Sequence, residues 1–217
     1  MLKKIIYLFL LTSYSVFAQD QDPKAKVILD DVSKTTKAYK TITAEYSLIF
    51  TNKEKKQTDK QSGKIQLKTT KFKLEIPGNT IVCDGKTVWT YNKDAQEVTI
   101  KNFEPNTEDG LDITNIFTLY EKGFKYKYDK EEKVNNVSLS VINLYPSNKP
   151  EKKKYHTIKL YVDKSKKQIK LIKLMMKDGS MQTYELKSIT PNKEIPDSQF
   201  IFDTKGFKPE QIVDERA

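Results

Sequence analysis

From Thr43 onward the chain keeps returning to one pattern, an apolar residue at every second position, and that period of two decides the fold class. In "TAEYSLIF" Ala44, Tyr46, Leu48 and Phe50 share one face, while Thr43, Glu45 and Ser47 share the other. "GKIQLK" and "KFKLEI" continue the alternation with Ile65, Leu67, Phe72, Leu74 and Ile76. Turn-forming pieces such as "PGN", "DG", "NKDAQ", "DKSKKQ" and "KDGS" separate the runs at short intervals, which predicts antiparallel hairpins. The later runs are "EVTIKNF", "FKYKY", "VSLSVINLY", "YHTIKLYV", "QIKLIKLMM", "SMQTYELKSI" and a terminal "FIFDT". The expectation is a mainly β chain of about ten strands with a few helices.

Two segments break the period. Pro23 sits where a first helical turn tolerates it, and Ile28, Leu29, Val32, Thr36 and Tyr39 recur at helical spacing, so a helix is predicted over about residues 23 to 40. Midway, "DGLDITNIFTLYEKG" carries Leu111, Ile116, Phe117, Leu119 and Tyr120, with Gly123 placed to end a second, shorter helix. Two short helices must then cover the apolar face of a long sheet. Either the sheet folds on itself as a sandwich or closed barrel, or it stays curved and partly open around a cavity that the helices cover. At about 25 cal/mol per Å², several hundred Å² of bare apolar surface is costly, so an open form implies an apolar ligand or partner.

The amino-terminus has the form of an export signal. "MLKK" is basic, "IIYLFLLTSYSVFA" is apolar, and Val16-Phe17-Ala18 is a small-residue cleavage pattern before Gln19. The apolar part falls short of the roughly 20 residues of a transmembrane helix. No cysteine follows the cleavage point, so the mature chain, a single domain over residues 19–217, is expected to be exported, soluble and without its own lipid anchor. The single cysteine excludes an internal disulfide in a compartment where one could form. The net charge of +10 comes from lysines that alternate with apolar residues along strands, as in Lys71 and Lys73 or Lys125 and Lys127. That distribution describes a solvated sheet face and not a nucleic-acid site. A weaker reading is attraction to an anionic membrane, at about 1 kcal/mol per basic residue near it.

Catalytic groups are scarce. His156 is the sole histidine, Cys83 has no evident activating base, and no metal-ligand spacing, nucleophile elbow or phosphate-binding glycine loop occurs. The pairs Glu131–Glu132 and Asp30–Asp31 have the character of solvated surface. A binding protein with no cofactor and no metal is expected, not an enzyme. Asp84-Gly85 has a sufficient cause as a hairpin turn. Trp89 and Tyr91 fall with Thr87 on one face beyond it, where aromatic rings serve core packing, an acyl-binding wall, or both.

The order of these pieces resembles a known family. An amphipathic helix leads into "AEYSLIF", then "GKIQLKTTKFKLEIPGNTIVCDGKTVWTYN", the midway "ITNIFTLY" and the closing "IPDSQFIFDTKGF". This is similar to the outer-membrane lipoprotein carrier protein family, LolA. The resemblance implies an unclosed, strongly curved antiparallel β-barrel covered by the first helix and a short lid helix. It implies a periplasmic carrier of acylated lipoproteins, supplied by an inner-membrane ATP-driven transporter and delivering to an outer-membrane acceptor or to the membrane itself. The alternative within the same fold is an envelope sensor that binds lipoprotein or lipid without transporting it. No nucleic acid is involved, and a monomer is expected. Carried over position by position, the resemblance assigns Phe72, Leu74, Trp89, Tyr91, Ile116, Phe117 and Leu119 to the cavity and lid, and Tyr46, Leu48, Phe50, Ile65 and Leu67, on the apolar faces of the first strands, are expected to complete it. One departure concerns the lid latch. Many members have Arg-Pro after the "G-x-L-x-x-K" strand, whereas this chain has Thr69-Thr70, leaving Lys68 or Lys71 to substitute without the planar fork of arginine.

Overall fold

The structure is a computed structural model that describes residues 21–52, 54, 56–104, 118–121 and 123–216. The export signal over residues 1–18 and most of the expected lid helix, with Ile116 and Phe117, lie outside the described residues.

The helix α1 spans Pro23–Lys37. Asp22 caps it, its carboxylate accepting from the Lys24 and Ala25 amides at 2.8 and 3.3 Å, and Pro23 supplies a first-turn φ at no hydrogen-bonding cost. It ends before residue 40 because Tyr39 N turns back to Thr36 O at 3.0 Å, which brings Ile42 into the first strand. Its buried stripe is Ala25, Leu29, Val32 and Ser33.

Twelve strands follow, against an expected ten or so. They are β1 (Ile42–Asn52), β2 (Gln57–Lys68), β3 (Lys71–Ile76), β4 (Asn79–Cys83), β5 (Thr87–Asn92), β6 (Glu97–Asn102), β7 (Phe124–Val134), β8 (Val137–Pro146), β9 (Tyr155–Asp163), β10 (Gln168–Met176), β11 (Ser180–Pro191) and β12 (Ile212–Asp214). They form one sheet in the order β12-β6-β5-β4-β3-β2-β1-β11-β10-β9-β8-β7. Only β12 on β6 is parallel. The sheet is not closed: β7 and β12 are its edges. The expected terminal strand "FIFDT" does not form. Asp197–Phe200 is a 3₁₀ turn, and the chain beyond it spends its side chains on packing instead of its amides on a ladder.

Cross-strand partners share a face, so register sorts the residues. Leu67 opposes Ile42 and Phe72, Phe72 opposes Cys83, and Cys83 opposes Val88. With Ala44, Tyr46 and Ile65 these form the concave face, and α1 packs onto it at β7 and β10. A bulge between Glu45 and Tyr46 in the β1–β11 pair, and others in β7 and β10, add the twist that curves the sheet.

Two glycines are set by contact. A Cβ at Gly63 would lie 2.5 Å from the Tyr46 hydroxyl and 2.7 Å from the Glu75 carbonyl, so the phenol lies over a residue that has no side chain. Gly85 takes φ +96 in the β4–β5 turn, where Asp84 accepts from the Lys86 and Thr87 amides, both at 2.8 Å. Gly63→Ala is expected to lower stability by about 1–3 kcal/mol through overpacking; an unchanged urea midpoint would show that the ring and strand give way freely.

Candidate functional site

The concave face is unevenly covered. Over β7 to β10 it is filled: Ala25, Leu29 and Val32 of α1 meet Ile142, Leu144, Ile158, Leu160 and Ile172, all at most 1 % exposed. Over β1 to β5 and β11 the same apolar face continues, with Leu48, Leu74, Ile76, Ile81, Val88, Tyr184, Leu186 and Ile189 only partly buried. Tyr46, Ile65, Leu67 and Phe72 form the buried floor beneath them. Among the described residues the result is a concave, mainly aliphatic surface whose rear wall is core and whose front is open in part.

The surface has almost no charge of its own. Its phenols, Tyr46 and Tyr184, have ring centroids 6.3 Å apart. Burial pushes Tyr46 up to about 12 and Tyr184 upward as well, the direction a poorly solvated site imposes on an acid. Cys83 is buried under this face, where desolvation pushes its thiol up, opposite to the shift a nucleophilic cysteine needs. His156 is exposed, with Nδ1 2.9 Å from the Thr157 hydroxyl. Among the described residues no three His, Cys, Asp or Glu side chains are grouped to hold a metal ion.

Of the residues predicted from sequence, Tyr46, Leu48, Ile65, Leu67, Phe72 and Leu74 lie together on this face. Phe50 continues the β1 alternation to the strand tip, where with Met181 it lines a recess of about 240 Å³. Leu119 packs against the same core from the 3₁₀ turn Leu119–Glu121. Trp89 and Tyr91 belong elsewhere. Trp89 opposes Val82 and Ile100, and Tyr91 opposes Val98, so both point to the convex face. There Tyr91 packs on Phe202 and Phe207, at 5.6 and 5.3 Å between centroids, and the carboxy-terminal segment covers that side. Ile81 and Val88, which the sequence reading passed over, occupy the concave positions instead. Tyr184, Leu186 and Ile189 also face this side, and the bulge at Lys187 puts Ile189 out of phase with Tyr184 and Leu186.

The expected latch also lies elsewhere. Lys68 and Lys71 both grip Asp197, each at 2.7 Å, and hold its carboxyl at about 2. They fasten the carboxy-terminal segment to the convex face. The 3₁₀ turn that ends the midway connection is instead tied to α1. Glu121 accepts from Lys37 at 2.6 Å and from Ser33, and the Tyr120 hydroxyl donates to Asp30 at 3.2 Å. Tyr120 is itself buried, edge-on to Tyr126 at 6.0 Å. No local pattern in the sequence marks Ser33, Lys37 and Glu121, since their pairing spans more than 80 positions.

Comparison with known proteins decides the family. The family model "Outer membrane lipoprotein carrier protein LolA" matches residues 37–203. The chain belongs to the LolA family. It is 30% identical over 223 residues to an outer-membrane lipoprotein carrier protein of Legionella pneumophila strain Corby, covering 98% of this chain and 97% of that one. In structure it is similar to an uncharacterised conserved protein from Thermus thermophilus, with a TM-score of 0.57 and 12% identity over 89% of this chain and 99% of that one. A LolA superfamily protein from Nitrosomonas europaea aligns with a TM-score of 0.44 and 10% identity over 82% and 97% of the two chains. The described residues of this LolA-family chain contain no helix long and apolar enough to cross a membrane.

The clamp on the LolA-family connection has a pH signature. Burial works to raise Glu121, but its hydrogen bonds to Lys37 and Ser33 outweigh it and hold the carboxyl below the ordinary range. A depressed acid contributes stability that is complete above its unfolded value and is lost as pH falls through the folded one. Glu121→Gln is therefore expected to lower stability at neutral pH and to flatten its decline below about pH 4.5; a variant with the acid limb of the native protein would place the clamp elsewhere.

Proposed function

We propose that this protein is a periplasmic carrier that receives acyl chains of lipoproteins on the partly covered half of its concave face and moves them from the inner to the outer membrane. The observation that supports it is the uneven cover. The concave apolar face runs from β5 across to β7, and among the described residues α1 packs on it only toward β7 and β10. Each acyl CH₂ buried there contributes about 0.8 kcal/mol, so a few chains hold a cargo that water would otherwise bar from crossing. The lipoprotein carriers among the relatives are named for this cargo.

In this reading the site is Tyr46, Leu48, Phe50, Ile65, Leu67, Phe72, Leu74 and Leu119, joined by Ile81, Leu186 and Ile189, with Ile116 and Phe117 at the lid. Trp89 and Tyr91 lie on the convex face, where Tyr91 packs on the carboxy-terminal segment, and they touch no acyl chain. The carrier works as a monomer without cofactor, metal or nucleic acid. It loads from an inner-membrane ATP-driven release transporter and unloads to an outer-membrane acceptor or the membrane. It hydrolyses nothing itself. Cleavage near Ala18/Gln19 frees it into the periplasm.

The test is direct binding of a diacylated lipopeptide, followed by native mass spectrometry and calorimetry. The purified mature protein is expected to form a one-to-one complex that its deacylated counterpart does not form. Ile81→Glu is expected to weaken binding at least tenfold with modest loss of stability, because the side chain is only partly buried. Trp89→Ala is expected to cost stability and leave affinity unchanged. Equal binding of acylated and deacylated peptide would sink the proposal.

A further inference from the structure

β1 and β2 pair along their whole length, from Ile42 opposite Leu67 to Asn52 opposite Gln57. β3 follows β2 only from Lys71 opposite Lys68 to Glu75 opposite Lys64, then turns away at Pro77-Gly78 into β4. From Gln57 to Gly63 the second edge of β2 meets no strand among the described residues. Alternate residues of a strand turn their N–H and C=O to each side, so this stretch offers about three residues of unpaired main-chain donors and acceptors.

The true edges of the sheet are guarded. On β7, Asp22 takes the free positions, its amide donating to Tyr126 O at 3.2 Å and its carboxylate accepting from Tyr128 N at 3.0 Å. The rest of that edge is a run of charges, Asp129 to Lys133. β12 is three residues long, ends at Asp214 and is followed by Glu215 and Arg216. Free strand edges invite pairing; the interior gap on β2 has no bulge, proline or covering chain among the described residues, and its charges are limited to Asp59 and Lys60.

We infer that the free edge of β2 is a docking strand for the extended peptide that follows the acylated end of the cargo, an inference that rests on the carrier reading. Its position supports this. Where β3 parts from β2, a cleft of about 490 Å³ opens, lined in part by Tyr46, Ser62, Gly63, Glu75, Ile76 and Pro77. Tyr46 and Ile76 belong to the concave face, and Ser62 and Gly63 to the free edge, so the cleft joins the two. An acyl chain lying against Leu48 and Leu74 therefore brings its own polypeptide to the start of this edge. The edge chemistry fits a main-chain partner. Gln57, Thr58, Asp59, Lys60, Gln61 and Ser62 are polar and of both signs, and Gln57 and Asp59 help line the shallow recess beside Phe50 and Met181. Recognition along such an edge reads mainly the backbone, with the recess able to take one side chain of the partner. At about 3.3 Å per residue the edge spans roughly 20 Å and pairs with a segment of about six residues.

Amide hydrogen exchange across Gln57–Gly63 tests this, using three kinds of probe. These are a diacylglyceryl-cysteine methyl ester, the same lipid bearing a six-residue polar peptide, and, as the third kind, a pair of such lipopeptides N-methylated at alternate residues, one in each phase. All four lipids are expected to bind, and exchange on the edge is expected to slow with the unmethylated lipopeptide and with the phase whose methyls face away from the edge, but not with the ester or the other phase. One methylation phase is expected to weaken binding about tenfold, a cost of about 1.4 kcal/mol. If the methyl ester fails to bind, the carrier reading fails. If it binds, but neither phase changes affinity and the edge is never protected, the docking strand is wrong while the carrier reading stands. Protection that appears without lipopeptide and grows with protein concentration would assign the edge to a second copy of the chain and overturn the inference.

Discussion

Everything in this molecule follows from a curved sheet whose concave apolar face is only partly covered by α1 among the described residues. The strands from β5 across to β7 present a continuous concave surface, and α1 is long enough to cover only part of it. Where α1 lies, Leu29 and Val32 reach complete burial against β8, β9 and β10. Beyond it the same strands run on with Leu74, Ile81 and Leu186 part-exposed. Tyr46, on the buried floor of that half, is pushed up to about 12 by desolvation, while the residues above it stay partly open. On the carrier proposal, a lipid chain would complete the burial of those partly open residues.

The convex side shows how the chain solves the same problem when no cargo is involved. There the carboxy-terminal segment serves as cover. Phe200 is fully buried, Phe202 and Phe207 pack on Tyr91, and Asp197 is pinned between Lys68 and Lys71. These ion pairs are exposed and set position more than stability. β4 and β5 thus carry apolar residues on both faces, Ile81, Cys83 and Val88 on the concave side and Val82, Trp89 and Tyr91 on the convex side.

That two-sidedness explains what the sequence showed and what it hid. Alternation in "TAEYSLIF" and "KFKLEI" placed Tyr46, Leu48, Phe72 and Leu74 correctly, because polar residues occupy the opposite positions and leave one choice of face. In "TIVCDGKTVWTYN" both phases are apolar, so Trp89 and Tyr91 drew attention by size while the concave positions went to Cys83 and Val88. Period alone cannot choose between two apolar phases, and only the register from Phe72 through Cys83 decides it. In β11 the phase changes at Lys187, where the strand accommodates the bulge beside Tyr46. The tail's "FIFDT" carries a strand's composition but no partner edge, and its aromatics are spent on Tyr91. Contacts between distant polar residues, such as Lys37 with Glu121, leave no local pattern at all.

The carrier proposal places lipid on the partly covered half of the concave face. The most direct measurement of that claim is paramagnetic broadening of methyl resonances by an acyl chain carrying a nitroxide near its terminus. The account predicts strong broadening at Leu48, Leu74, Ile81, Leu186 and Ile189, with Val82, Val98 and Ile100 on the convex face left sharp. Broadening centred on those convex methyls, or spread evenly over the molecule, would contradict it.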